Sequence, residues 1–205
     1  MASTSTPETG CGLRERKKLA TRAALRHAAV TLYRQHGPDS VTVEDICAAA
    51  GVSPRTFFNY FETKDEAVLS FSEGTPQRFR QRIIERPAEE SPIQAIHAAF
   101  AERLAELKAD ETWRERTLLL REHPELLPRL NHTNRAIEQA VIDAVVARTG
   151  LTECDVYVRT TAAVAFSAYR VVIGCWQPGT GPDLIDLLDQ AMDLVRRGLA
   201  PPART

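Results

Sequence analysis

The stretch Ser53-Pro-Arg55-Thr56-Phe57-Phe58-Asn59-Tyr60-Phe61-Glu62-Thr63-Lys64 gathers side chains that can do a definite kind of chemistry. An arginine, a threonine, an asparagine, a tyrosine and a lysine fall within ten residues, with no carboxylate beside them until Glu62. Phe57 and Phe61 are four apart and share one face of a helix, which leaves Arg55, Thr56, Asn59 and Tyr60 on the other. Arg55 has the donor fork that matches O6 and N7 of guanine, worth about 1 to 3 kcal/mol of discrimination against a wrong base. Lys64, in the first turn of the next helix, carries a point charge that can grip a phosphate. The set reads as recognition of a nucleic acid rather than catalysis.

Two short helices around a tight turn would present these groups. Thr42 is placed to cap the first helix by accepting from an early backbone N–H, and Ile46 and Ala49 are expected on its inner face. Gly51 ends that helix, because the residue after a helix terminus often needs positive φ, which glycine takes without a Cβ penalty. Ser53-Pro54 then supplies a second N-cap with proline at the first helical position. Thr63-Lys64-Asp65-Glu66 has capping-box spacing and opens a third helix. Ahead of them, Arg14 to His36 predicts a long helix with an apolar stripe of Leu25, Ala28, Ala29, Leu32 and Tyr33, stopped by Gly37-Pro38. Arg16, Lys17, Arg22 and Arg26 lie largely off that stripe, where they could run along a DNA backbone or simply form a solvated face. Residues 1–13 read as a disordered tail.

Composition bounds the alternatives. The chain has 205 residues, 43% of them apolar and 26% charged, with a formal net charge of −1. That balance alone argues against a nucleic-acid protein, but its distribution is uneven. Through Asp65 there are nine Lys and Arg against seven Asp and Glu, or +2, and the remaining residues carry 17 against 20, or −3. No apolar run is read as reaching the roughly 18 to 20 residues of a membrane helix, and the Ser/Thr-rich start lacks the apolar stretch of a signal peptide, so a cytoplasmic protein with no membrane partner is expected. Cys11, Cys47, Cys154 and Cys175 are far apart and read as reduced thiols. There is no G-x-G-x-x-G, P-loop or G-x-S-x-G, and no histidine has a glutamate three residues earlier, so neither an enzyme nor a bound cofactor or metal is expected.

The rest of the chain reads as helices throughout. One continues from Lys64 through Ala67, Val68, Leu69 and Phe71 until residues 72–76 weaken it, and a second piece covers 77–86. Ser91-Pro92 opens another, with Ile96, Phe100, Leu104 and Leu107 on one face. Residues 110–121 and 130–149 follow, separated by Pro124 and Pro128. Thr152 is expected to cap a very apolar helix running to Gly174, and Gly179 to Pro182 separates it from a last helix with a broad stripe from Leu184 to Val195. Two such neighbours suit either a subunit interface or a monomeric core. With no strand-like alternation, the fold class is all-α.

The residues Thr42-Val-Glu-Asp-Ile46, Ala50-Gly51-Val52-Ser53, Phe57-Phe58-Asn59-Tyr60-Phe61 and Lys64-Asp-Glu-Ala67, with the basic helix before them, resemble the DNA-binding domain of the TetR family of bacterial regulators. The resemblance covers roughly residues 14–70 and beyond them extends to architecture only. It implies a three-helix helix-turn-helix domain at 14–70 and a larger helical ligand-binding and dimerisation domain at 71–200. It further implies double-stranded operator DNA as partner, a homodimer through residues 155–173 and 183–197, and a small-molecule effector. Arg55, Thr56 and Asn59 would then face bases, while Thr42, Ser53, Tyr60, Lys64 and the helix-borne Arg22 would meet the phosphate backbone. Phe58 departs from the tyrosine that many members carry, which removes one expected phosphate bond, and it is left out as a core candidate. Candidate effector walls are Phe100, Leu104, Trp113, Leu118, Phe166, Tyr169 and Trp176, though each reads more readily as plain core. Arg121, His123, Arg135 and Arg170 could anchor a carboxylate or acyl thioester, and surface salt bridges explain them as well. The C-terminal half loosely resembles actinobacterial regulators of hydrophobic or acyl-type molecules. The family mechanism has the ligand move the helix that begins at Lys64, with a coupling of about 1 to 3 kcal/mol. A repressor is the leading expectation, activation stays open, and the alternative is a helical binding or scaffold protein without sequence-specific DNA binding.

Arg55→Ala is expected to flatten preference at one base position in each half-site. Lys64→Ala should weaken all sequences alike and lower the salt slope. Titrations against a panel of mutated operators at several salt concentrations check both, and an unchanged preference in Arg55→Ala would remove it from the base-reading set.

Overall fold

The computed structural model describes residues 12–70, 74–177 and 179–200, and its helices start and stop at the caps and glycines that the chain supplies. Among the described residues there are ten α-helices and no strand. The chain forms two compact units, one up to Val68 and one from Leu69 onward. Most of the tail expected at residues 1–13, together with Cys11 and the Phe71–Glu73 part of the expected long helix, lies outside the described residues.

In the first unit α1 spans Leu13–His36, α2 Val43–Ala50, α3 Pro54–Phe58 and α4 begins at Lys64, running to Leu69. Helix α1 ends at Gly37, whose φ of 81° is open to glycine and strained for other residues. It buries Leu25, Ala28, Ala29, Val30 and Tyr33, so Val30 takes the place expected for the half-buried Leu32. On α2 the inner pair is Ile46 and Cys47, whereas Ala49, expected inside, is exposed. The helix has only eight residues, and a rotation of one position is enough to exchange neighbours across its boundary. Burial first, and then the nearby Glu44 carboxylate, push the Cys47 thiol up from its ordinary pKa. Gly51 adopts the left-handed conformation, φ 67° and ψ 33°, and turns the chain into α3.

In the second unit α5 spans Thr75–Ile84, α6 Pro92–Lys108, α7 Glu111–Glu122, α8 Asn131–Thr149, α9 Val156–Cys175 and α10 Leu184–Arg196, with a 3-10 segment at Pro124–Leu130. One apolar cluster joins them, including Phe100, Leu104, Val141, Phe166, Leu188 and Met192. Each such side chain removed from water contributes about 1.5 to 3 kcal/mol before chain entropy is counted. Helix α9 starts later than expected: Asp155, not Thr152, caps it, with its carboxylate accepting from the Tyr157 N–H at 2.8 Å. The Asp155 N–H itself bonds the Thr152 carbonyl at 3.0 Å, so Thr152 belongs to the preceding turn. A single guanidinium closes the α5–α6 connection. Arg148, near the end of α8, donates to the carbonyls of Ile83, Arg86, Pro87 and Glu90 at 2.7 to 3.1 Å. Those carbonyls would otherwise be orphans of a helix end and turn. At the other side of the bundle, His97 meets Asp189 at 2.7 Å and Lys108 meets Asp183 at 2.8 Å, tying α6 to α10. The Lys108 ammonium beside it holds the Asp183 carboxyl below the usual range.

Contrary to expectation, α9 is long and apolar enough to cross a membrane by length and composition alone, with 20 residues and a mean hydropathy of 1.2 in its most apolar window. Here it packs within the bundle and carries Arg159 and Arg170.

Local capping carries a measurable share of the first unit's stability. Thr42 accepts from the Asp45 N–H at 3.1 Å, and Asp45 in return accepts from the Thr42 N–H at 2.9 Å and from its hydroxyl at 2.6 Å. Those hydrogen bonds from the Thr42 side chain and backbone hold the Asp45 carboxyl below its ordinary pKa. A depressed folded pKa contributes stability that is complete above the unfolded value and lost as pH falls through the folded one. Loss of the N-cap in Thr42→Ala should cost about 0.5 to 2 kcal/mol at neutral pH. The difference from wild type should shrink below about pH 4, and urea melts across that range measure it. A pH-independent difference would show that Asp45 takes no part.

Candidate nucleic-acid interface and effector cavity

Helix α3 has only five residues and is held at both ends. Ser53 Oγ accepts from the Thr56 N–H at 3.2 Å, and Phe57 is fully buried below it. Arg55 and Asn59 stand exposed on the opposite side. Phe58 stands with them: it is 58% exposed and meets Phe57 edge-on at 5.4 Å, so it is not the core residue that its type suggests. Its position was legible, because Arg55, Phe58 and Asn59 follow an i, i+3, i+4 pattern and so share a face.

The expected phosphate contacts are less free than the sequence implies. The single hydroxyl proton of Thr42 is placed on Asp45, so donating it to a phosphate would break that bond. Ser53 and Thr56 hydroxyls lie 3.0 Å apart, and whichever donates, the other keeps its proton for an outside acceptor. Arg22 lies 4.5 Å from the Phe61 ring centroid and donates to the Tyr60 carbonyl at 3.0 Å, bracing the start of the α3–α4 turn from α1. Tyr60 is half-buried. Lys64 donates to the carbonyls of Pro38 and Val41, both at 2.8 Å, which commits two of its three N–H donors inside the unit. Tyr33 completes this brace by donating to Asp65 at 2.7 Å. Thr63 caps α4 through the Glu66 N–H at 3.1 Å, but Glu66 reaches back to the Glu62 N–H at 2.7 Å, one residue earlier than a capping box would place it.

The second unit holds a cavity of 750 Å³, open to solvent on one side, among α5, α6, α7, α8 and α9. Its lining includes Phe100, Trp113, Arg121, Phe166, Tyr169 and Arg170. Leu104, expected on this wall, is instead fully buried in the core, one helical turn beyond Phe100 and turned toward its neighbours. Leu118 and Arg135 are likewise absent from the lining, and Trp176 reaches it only through Trp113, 5.1 Å away. His123 pairs with Glu125 at 2.8 Å.

Two lining arginines were missed, Arg103 and Arg116. Each follows a wall aromatic by three residues, Phe100 and Trp113, and that spacing places them on the same faces. Arg116 is buried and donates to the Leu69 carbonyl at 3.1 Å. Arg121 donates to the Trp176 carbonyl at 2.8 Å, at the end of α9. Burial raises the Tyr169 phenol above its ordinary pKa, against an opposing pull from Arg103 and Arg116, so it stays a neutral donor at physiological pH.

Residues 25–70 match the family model described as bacterial regulatory proteins of the tetR family, and residues 90–200 match that of the MftR C-terminal domain. The chain is 31% identical over 211 residues to the transcriptional regulator TcmR of Streptomyces glaucescens, covering 95% of this chain and 93% of that one. Among solved structures, FadR of Thermus thermophilus, a TetR-family repressor in complex with lauroyl-CoA, aligns with a TM-score of 0.57 at 21% identity, over 89% of this chain and 97% of that one. SmeT in complex with triclosan, the repressor of a Stenotrophomonas maltophilia multidrug efflux pump, aligns with a TM-score of 0.57 at 20% identity, over 90% and 96%. The two structures share the fold, and the matched models, in order along nearly the whole chain, establish that it belongs to the TetR family of transcriptional regulators.

Proposed function

We propose that the chain is a repressor that binds a palindromic operator as a homodimer and leaves it when a small hydrophobic or acyl-type molecule enters the cavity of the second unit. The observation that carries this reading is the pairing of an exposed Arg55–Phe58–Asn59 face on α3 with a 750 Å³ cavity in a separate compact unit. Residues 14–70 then form the DNA-binding domain and 71–200 the effector and dimerisation domain. Arg55 and Asn59 read base edges, and Phe58 offers its ring to a thymine methyl. Ser53, Thr56, Tyr60 and the remaining donor of Lys64 meet phosphates, while Arg22 holds the recognition helix in place. Arg121 and Arg170 anchor a polar end of the effector, with Phe100, Trp113, Phe166 and Tyr169 around its body.

Dimerisation is supported by apolar side chains left at the surface of the last two helices: Val156 at 80% and Tyr157 at 48% exposure on α9, and Leu194 at 43% on α10. Patches of this kind suit a second copy of the same face. Release by a ligand is supported by the two relatives of the same fold crystallised with lauroyl-CoA and with triclosan. The ligand acts by favouring one of two states of the regulator over the other, and its differential affinity sets the size of the effect.

Selection of bound fragments from genomic DNA should yield an imperfect palindrome with half-site centres about 34 to 36 Å apart. Leu194→Glu should shift the protein toward monomer in sedimentation and weaken operator binding. A folded protein that enriches no palindrome would overturn the reading, and a reporter with the operator at its promoter distinguishes repression from activation.

A further inference from the structure

We infer that the cavity of the second unit is built for a planar aromatic anion, a carboxylate or phenolate, an assignment that rests on this cavity being the effector site. Four guanidiniums line it, those of Arg103, Arg116, Arg121 and Arg170, and among the described lining residues there is no aspartate or glutamate. Concentrated positive charge inside a concave apolar wall focuses its field on whatever enters. The bonds that Arg103 and Arg121 already make leave donors over. Arg103 spends one nitrogen on Glu106 at 3.2 Å, and Arg121 spends one on the Trp176 carbonyl at 2.8 Å, out of five N–H donors each. Arg170 makes no hydrogen bond or ion pair among the described residues. A carboxylate or phenolate answers a guanidinium with short, charge-assisted bonds, whereas a neutral chain leaves the field without a partner.

The apolar part of the wall is aromatic in an ordered way. Phe79 and Phe100 lie 4.9 Å apart at 35°, Phe100 and Tyr169 lie 4.5 Å apart at 18°, and Tyr169 and Phe166 lie 6.4 Å apart at 22°. Phe100, Tyr169 and Phe166 thus make a row of stacked rings along the cavity, with Phe79 tilted at its end. A ligand ring can extend the row by stacking at its end or meet its positive edges face-on, each worth about 0.5 to 1.5 kcal/mol beyond area burial. A saturated chain gains neither. Tyr169, which also lines the cavity, brings a hydroxyl that can donate. The volume suits one drug-sized molecule.

Calorimetric titration of the full chain with anthracene-2-carboxylate, its methyl ester and dodecanoate tests the assignment, with operator release followed in parallel by gel shift. The acid should bind at least about tenfold more tightly than the ester and about two- to tenfold more tightly than dodecanoate. Arg170→Gln, and separately Arg103→Gln, should reduce affinity for the acid by about tenfold and leave that for the ester unchanged, with far-UV circular dichroism confirming the fold. Ester binding equal to the acid would overturn the charge assignment. Dodecanoate binding as tightly as the acid, or no binding of the aromatic acid, would overturn the aromatic one. If dodecanoate releases the operator while the aromatic acid does not bind, this inference fails and ligand-controlled DNA binding stands. If the acid binds as expected and the operator stays bound, the inference holds and the release mechanism fails.

Discussion

A helix of five residues has no stability of its own, because nucleating a helical turn costs more than so few hydrogen bonds return. Helix α3, which carries the base-reading candidates, therefore exists only as far as its surroundings impose it. Phe57 is its anchor, fully buried, with Phe61 beside it at 5.7 Å between ring centroids. Arg22 covers the Phe61 ring and takes the Tyr60 carbonyl, and Lys64 ties the residues after the turn to the loop between α1 and α2. Tyr33, from the last turn of α1, reaches Asp65. The first unit is thus a frame that holds a marginal helix in place, and the base reading proposed for Arg55, Phe58 and Asn59 depends on that frame. A mobile helix would lose in ordering entropy what each contact contributes.

The second unit inverts this arrangement. Beside a core filled with apolar side chains, it keeps a space walled largely by aromatic rings and arginines. Arg116 is buried and meets the Leu69 carbonyl, while Arg121 and Arg170 keep access to water. Their retention beside a well-packed core on α6, α8 and α9 sets this region apart from the rest of the bundle. The same helices serve both purposes: α9 buries Ala162, Ala165 and Phe166 on the inside, supplies Tyr169 and Arg170 to the cavity, and leaves Val156 and Tyr157 at the surface. The low charge of α9 in the sequence follows from these competing faces, and so does its passing a test of length and hydropathy that membrane helices also pass.

The errors in reading the sequence have a common form. Ala49 and Cys47 are both small and apolar, and an eight-residue helix leaves too little periodicity to choose between them. Thr152 and Asp155 are both good caps, and the choice between them depends on where α9 meets its neighbours. Leu104 shares a helix face with Phe100, but the face is wider than the cavity, so one residue lines it and the other fills the core. Residue type alone suggests the core for Phe58, whereas its spacing from Arg55 places it outside. Arg103 and Arg116 were overlooked because an arginine in a helix normally reads as surface, although each stands three residues after a wall aromatic.

What the chain determines without help is what depends on a few adjacent residues. The Thr42–Asp45 cap, the left-handed Gly51, the Ser53-Pro54 start and the stop at Gly37 are all interactions within about four positions, and their residue types leave few alternatives. What only the tertiary structure decides is how long side chains divide their donors among distant groups. Lys64 reaches back 26 residues to Pro38, Arg22 reaches forward 38 to Tyr60, and Arg148 gathers carbonyls some 60 residues away. Residue type shows that such a group carries charge, but the partner that satisfies it is set by packing, and packing is a property of the whole chain.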